Sequence, residues 1–274
     1  MKPFKPKNPR FRKYREISAI YLKSQLAWRA DAVFQMLFTV TKILFAYLLW
    51  GMVFSQRDTV SGFTLDGMLS YYIISSFLSQ LELSDGVSGE VSERIRNGTF
   101  SKYLVLPVNI PGYFTAMEAG CVLFYLGFDL AAALIWIFIF RIRFVFTHSP
   151  LIILCALLMI ILGLLFMVQL NYYLGLLTLK YEEIGTFLMI KSNLVALITG
   201  SIVPLALFPE AVLRGMKLLP FYYITYLPSM LLTGRCREEA VTGILILCLW
   251  CLALGGLIRI TWKKYRVKYD GAGI

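Results

Sequence analysis

Apolar runs of bilayer length alternate with short polar stretches from one end of this chain to the other. Six runs stand out, at 32–54, 63–81, 112–140, 150–177, 185–203 and 241–260, each long enough for the roughly 20 residues that carry a helix across hydrocarbon. They predict six transmembrane helices. Between the second and third runs, Leu83, Val87, Val91 and Ile95 recur every fourth residue, which predicts a short amphipathic helix over 84–98 with Glu90, Glu93, Arg94 and Arg96 on its other faces. Ser84 and Asp85 can cap its start, and Asn97-Gly98 supplies a left-handed stop. Tethered to a span at each end, such a helix would pass any applied force straight into the embedded bundle, as a lever does. Periodicity alone fits a passive helix on the lipid headgroups equally well.

The two ends of the pattern differ from its middle. Residues 1–30 are polar and basic, and Tyr14, Ile17 and Tyr21, with Ile20 on an adjoining face, sit at helical spacing among Arg10, Arg12, Lys13, Arg15 and Lys23. This predicts an interfacial helix facing lipid phosphates, or a continuation of the first span. Over 204–232 the apolar character persists, but Pro204, Pro209, Pro220 and Pro228 leave no uninterrupted stretch of spanning length. Short helices that dip into one leaflet and return fit this segment, which also carries Glu210.

Polar groups inside the runs mark candidate sites. Lys42 lies within the first run, Tyr71, Tyr72 and several serines within the second, and Glu118 and Asp129 within the third. Glu118 and Asp129 are about three helical turns apart and so share a face. A charge at mid-bilayer costs roughly 2.5 to 3.5 kcal/mol on insertion scales, so each should face protein or water and find a partner. Lys42 falls between the two acids in depth and is the natural partner. The pair could fix helix register, relay protons or touch a substrate. The mixed second run would be turned toward other helices or a water-filled path.

Composition narrows the class. The chain is 58% hydrophobic and 16% charged, with a mean hydropathy of +0.70, which makes it an integral membrane protein without room for a soluble domain. Its net charge of +11 comes from basic residues gathered near the two ends, a topology pattern and not a nucleic-acid surface. With six spans both termini, the 84–98 helix and the Lys180 loop share the basic, cytoplasmic side, with Arg141 and Arg143 as exceptions. Cys248 and Cys251 spell C-x-x-C in mid-span without a second ligand pair, so no metal site is expected. No phosphate-binding loop, HExxH or G-x-S-x-G is present. The chain should neither bind ATP nor catalyse a reaction itself.

The run from Val91 to Pro107, with Glu93-Arg94-Ile95-Arg96-Asn97-Gly98-Thr99-Phe100 and the exit Leu104-Val105-Leu106-Pro107, resembles the cytoplasmic coupling segment of type-2 export permeases of ATP-binding cassette (ABC) transporters. A second stretch, Ile202 to Leu213 and then Leu219 to Pro228, is similar to that family's extracellular re-entrant region. The resemblance implies a multi-pass subunit in the bacterial cytoplasmic (inner) membrane, paired with an identical or related permease. It also implies two separate ATPase subunits that hold ATP and Mg2+ and grip Val87, Glu90, Val91, Glu93, Arg94, Ile95, Arg96 and Gly98. An ion-coupled secondary transporter or channel built on Asp129, Glu118 and Lys42 is the alternative. It would be expected to show internal repeats, and none is visible.

Overall fold

A computed structural model describes residues 9–140, 143–199, 205 and 208–269. Among these the regular structure is helical, with short loops between the helices and one isolated bridge between Val60 and Phe63. The helices are α1 (Pro9–Gln25), α2 (Arg29–Phe54), α3 (Leu65–Leu81), α4 (Asp85–Arg96), α5 (Ser101–Leu104), α6 (Ile110–Phe140), α7 (Pro150–Leu176), α8 (Gly185–Ile198), α9 (Glu210–Met216), α10 (Tyr226–Leu232) and α11 (Ala240–Tyr265). Four stretches are long and apolar enough to cross a membrane: Ala30–Phe54, Ile110–Ile135, Pro150–Leu179 and Arg237–Tyr265.

The other two expected spans are shorter. Helix α3 has 17 residues, about 25 Å at 1.5 Å per residue, and α8 has 14, about 21 Å, against roughly 30 Å of hydrocarbon. In the expected run at 185–203, α8 covers 185–198, and residues 200–203 together with Pro204 lie outside the described residues.

Helix α3 is buried along almost its whole length. Tyr71 and Tyr72 do not line an open path. Tyr71 packs edge-on against Phe63 and Tyr226, with centroids 6.2 and 5.9 Å away, and Tyr72 against Trp50 at 6.1 Å. Tyr71 and Tyr72 are enclosed by other helices, whereas the far end of α3 borders a cavity at Ser79. The serines serve close packing, since Ser70 and Ser79 bond back to the carbonyls of Asp66 and Ser75.

The connections gather at two ends of the bundle. At one end the α6–α7 link meets the segment after α10, where the Thr147 amide donates to the Leu232 carbonyl at 2.8 Å, and Arg235 reaches the Gly62 carbonyl and the Phe63 ring. Between Pro209 and Leu232 the chain forms two seven-residue helices and a four-residue 3-10 turn. Pro209 precedes α9, Pro220 opens the 3-10 turn, and Pro228 sits in the first turn of α10. Each lies where a missing N–H costs no helical bond. The prolines thus punctuate the segment as expected, and Glu210 is the exposed first residue of α9.

At the opposite end, α1 packs along α6 in parallel register. The Tyr14 hydroxyl accepts from the Asn109 amide at 3.2 Å, the Tyr21 and Tyr113 hydroxyls are 2.7 Å apart, and Gln25 donates to the Cys121 sulfur at 3.3 Å. One face of this helix is thus committed to protein, while Arg12, Lys13, Arg15 and Lys23 remain exposed on the other. Gly120 permits the approach, because a Cβ there would lie 2.3 Å from the Ser18 carbonyl oxygen. Gly120→Ala should lower the melting temperature of the purified chain by the equivalent of about 1 to 3 kcal/mol of overpacking. Gly127→Ala, with nothing within 4 Å of the new methyl, should leave it unchanged or raise it. Equal effects of the two variants in a thermal-shift assay would refute this packing.

Candidate functional site

Helix α4 forms where the periodicity places it, and its apolar stripe is spent on the chain's own bundle. Val87, Val91 and Ile95 are buried, together with Ser88 and Ser92 between them. The seat is the last turns of α7. A Cβ on Gly175 would lie 2.7 Å from the Val91 Cβ and 3.0 Å from the Ser88 carbonyl, so only a bare backbone lets the two helices come this close. One turn on, Thr178 donates to the Ser92 hydroxyl at 2.8 Å. Gly98 ends the helix with φ +66. Its carbonyl accepts from the Tyr269 hydroxyl at 2.6 Å, and the Tyr269 hydroxyl oxygen in turn accepts from the Ser101 amide at 2.7 Å. Phe100, fully buried, stacks between Tyr103, Trp262 and Tyr269. The helix and its exit are therefore clamped by α7 and by the end of α11.

The remaining faces of α4 divide into a flank and an outer surface. Glu90 and Arg94 are paired at 3.0 Å, and Glu90 accepts from the Tyr103 hydroxyl at 2.6 Å. Burial and the Glu90 carboxylate hold the Tyr103 hydroxyl protonated well above the ordinary phenol range. Asp85, Gly86, Gly89, Glu93, Arg96 and Asn97 are exposed. Of the residues the sequence offered for partner contact, Glu93 and Arg96 are accessible and Glu90 and Arg94 are half-buried. Val87, Val91, Ile95 and Gly98 are turned inward and hold the helix down instead.

The start of α4 is tied to three other elements by a chain of polar groups. Ser84 does not cap the helix through its hydroxyl as expected. That oxygen donates to Glu82 and accepts from the Asn171 side-chain amide at 2.7 Å. The Asn171 carbonyl oxygen accepts from Lys191 at 3.1 Å, and Lys191 also pairs with Asp85. Glu82 at the end of α3, Asp85 on α4, Asn171 on α7 and Lys191 on α8 thus form one connected network. Burial pushes the Glu82 carboxyl above the usual range; Ser84 and Lys191 lower it and Asp85 adds to the rise. Behind Glu82, the Glu118 carboxylate accepts from the Leu83 amide at 2.9 Å, which fixes the joint between α3 and α4. Beside the network a cavity of about 160 Å³ opens between α3, α7, α8 and the turn at Ile224 and Thr225.

Lys191 is the residue that sequence inspection passed over. The signal was present, because a lone lysine in an apolar run needs a partner as much as Lys42 does. That the partner is Asp85, more than 100 positions earlier, is visible only in the folded chain.

The expected contact between Lys42, Glu118 and Asp129 does not form. Lys42 is exposed on the outer side of α2 and takes part in none of the ion pairs among the described residues. Glu118 is satisfied at the α3–α4 joint. Asp129 is buried in the seam of α2, α3 and α6, with its Oδ2 lacking a hydrogen-bond partner. Thr39 and Ile43 are the α2 residues that line this seam, and Lys42 lies off that face. On the opposite end, Cys236, Glu238 and Glu239 come within 4.8 Å of one another, yet Glu239 is occupied by Lys217 at 2.6 Å and by the Tyr222 hydroxyl at 3.1 Å.

Long apolar helices and a docked amphipathic helix at one end of the bundle define a multi-pass membrane protein. Residues 40–273 match the model of the ABC-2 family transporter proteins, and the chain belongs to that family. No curated protein and no solved structure matches it.

The network yields an asymmetric expectation. The Lys191 side chain is 8% exposed and that of Asp85 66%. Removing the carboxylate strands a buried ammonium, whereas removing the ammonium leaves a carboxylate in water. Asp85→Ala should therefore lower the melting temperature more than Lys191→Met does. The reverse order in a thermal-shift comparison would refute the geometry.

Proposed function

We propose that this chain is the membrane-spanning permease subunit of an ATP-driven exporter, with α4 as its coupling helix. In this reading α2, α3, α6, α7, α8 and α11 cross the bacterial inner membrane, both termini and α4 are cytoplasmic, and the segment from Pro204 to Leu232 is extracellular. Two ATPase subunits on the inner side hold ATP and Mg2+, and a second permease, identical or related, completes the translocation path.

One observation carries this reading. In a chain of the ABC-2 family, α4 is seated on α7 by its whole apolar stripe and presents Glu93, Arg96 and Asn97 outward. A push on that outer face reaches α7 through Val91 on Gly175, α8 through Asp85 on Lys191, and α6 through Leu83 on Glu118. Closure of the ATPase pair would move these contacts together and switch the path between its two accessible states.

The double variant Glu93→Arg/Arg96→Glu reverses the exposed charges without changing their sum or touching the buried stripe. It gives up only the exposed Arg96–Glu183 pair at 3.6 Å, so stability should stay within about 1 kcal/mol. Co-purification of the ATPase with the tagged permease should fall at least about tenfold, and substrate export should be lost. Unaltered capture and export in that variant would overturn the coupling assignment.

A further inference from the structure

The cavity beside the polar network has a charge balance that selects its ligand. It is walled by Met167, Val195 and Ile224 on the apolar side and by Glu82, Asp85 and Lys191 on the polar side, and Lys191 is the single basic residue in its lining. That lysine is already committed to Asp85 and Asn171. Glu82 takes part in none of the ion pairs among the described residues and accepts only from the amide and hydroxyl of Ser84. A second carboxylate, Glu118, stands directly behind it on the Leu83 amide. Two acids, Glu82 and Asp85, thus face one ammonium in the lining among the described residues, and that acidic excess borders open space.

The size of that space sets a limit on what enters. About 160 Å³ is close to the roughly 150 Å³ apolar cavity that takes up benzene. It is too small for a drug-sized body, which calls for some 300 Å³ or more. We propose that this cavity binds the positively charged end of an organic cation, an ammonium on an apolar body of about benzene size, with Glu82 and Asp85 as its counter-charges and Met167, Val195 and Ile224 as its apolar wall. The bound cation competes with Lys191 for Asp85, so occupancy loosens the tie between α4 and α8. That this ligand is also the exported cargo rests on the permease reading above; the binding itself does not.

The test uses the purified full-length chain in lipid nanodiscs and three probes of similar size: phenyltrimethylammonium, benzyl alcohol and benzenesulfonate, titrated by calorimetry. Phenyltrimethylammonium should bind more tightly than either of the others. Glu82→Gln should weaken it by at least about tenfold, the loss expected for one buried charge contact. Lys191→Met removes the competitor and should strengthen it. Opposite signs from two variants in one network cannot both come from misfolding. Benzenesulfonate or benzyl alcohol binding as tightly as the cation overturns the proposal, and so does indifference of the cation to both variants. Capture of the ATPase by the same preparations is read separately: intact capture without cation binding removes this inference alone, and cation binding without capture removes the coupling assignment alone.

Discussion

The contact of Val91 with the bare backbone at Gly175 is the constraint on which the rest of this structure depends. Burial of an apolar stripe does not by itself fix how near two helices come, so close backbone approach and hydrogen bonds set the seat of α4 on α7. A small residue near the end of α7 brings α4 near enough for Thr178 to meet Ser92 and for Asn171 to meet Ser84. Those bonds set the position of Asp85, and Asp85 sets the position of Lys191. A larger side chain at 175 would lift the helix and break the series at its first link.

That seat changes what an amphipathic helix at this position can do. Had the apolar stripe been left for a partner, the helix would be a free hook, and force on it would first have to order it against its own bundle. Here the stripe is consumed internally and the polar face is presented, so the helix is already stiffly joined to α6, α7 and α8. In the coupling reading proposed above, recognition would fall to the exposed residues Glu93, Arg96 and Asn97, and transmission to the buried Val87, Val91 and Ile95. The two tasks lie on opposite faces of one short element.

The same economy of roles appears among the intramembrane charges. Glu118 holds a loop amide, Lys191 joins two helices, and Asp129 is enclosed in a seam where Oδ2 meets no donor. Lys42 stays on the outer side of α2. Cost alone predicts that each such group has a purpose, but the purposes turn out to be different.

Much of this was legible in the chain before folding. The apolar runs determined the long helices because hydrocarbon admits few other backbones. The four-residue recurrence of Leu83, Val87, Val91 and Ile95 determined α4, and Pro209, Pro220 and Pro228 kept the helices of their segment short, since both signals act locally. Within the run from 185 to 203, α8 accounts for 185–198, and residues 200–203 lie outside the described ones. What the apolar face of α4 would be buried against, that Lys42 would miss Glu118 and Asp129, and that Lys191 would find Asp85 were decided only by the tertiary structure. Each depends on the rotation and depth of one helix relative to another. Those two quantities come from side chains packing across the bundle, and no local pattern in the sequence carries them.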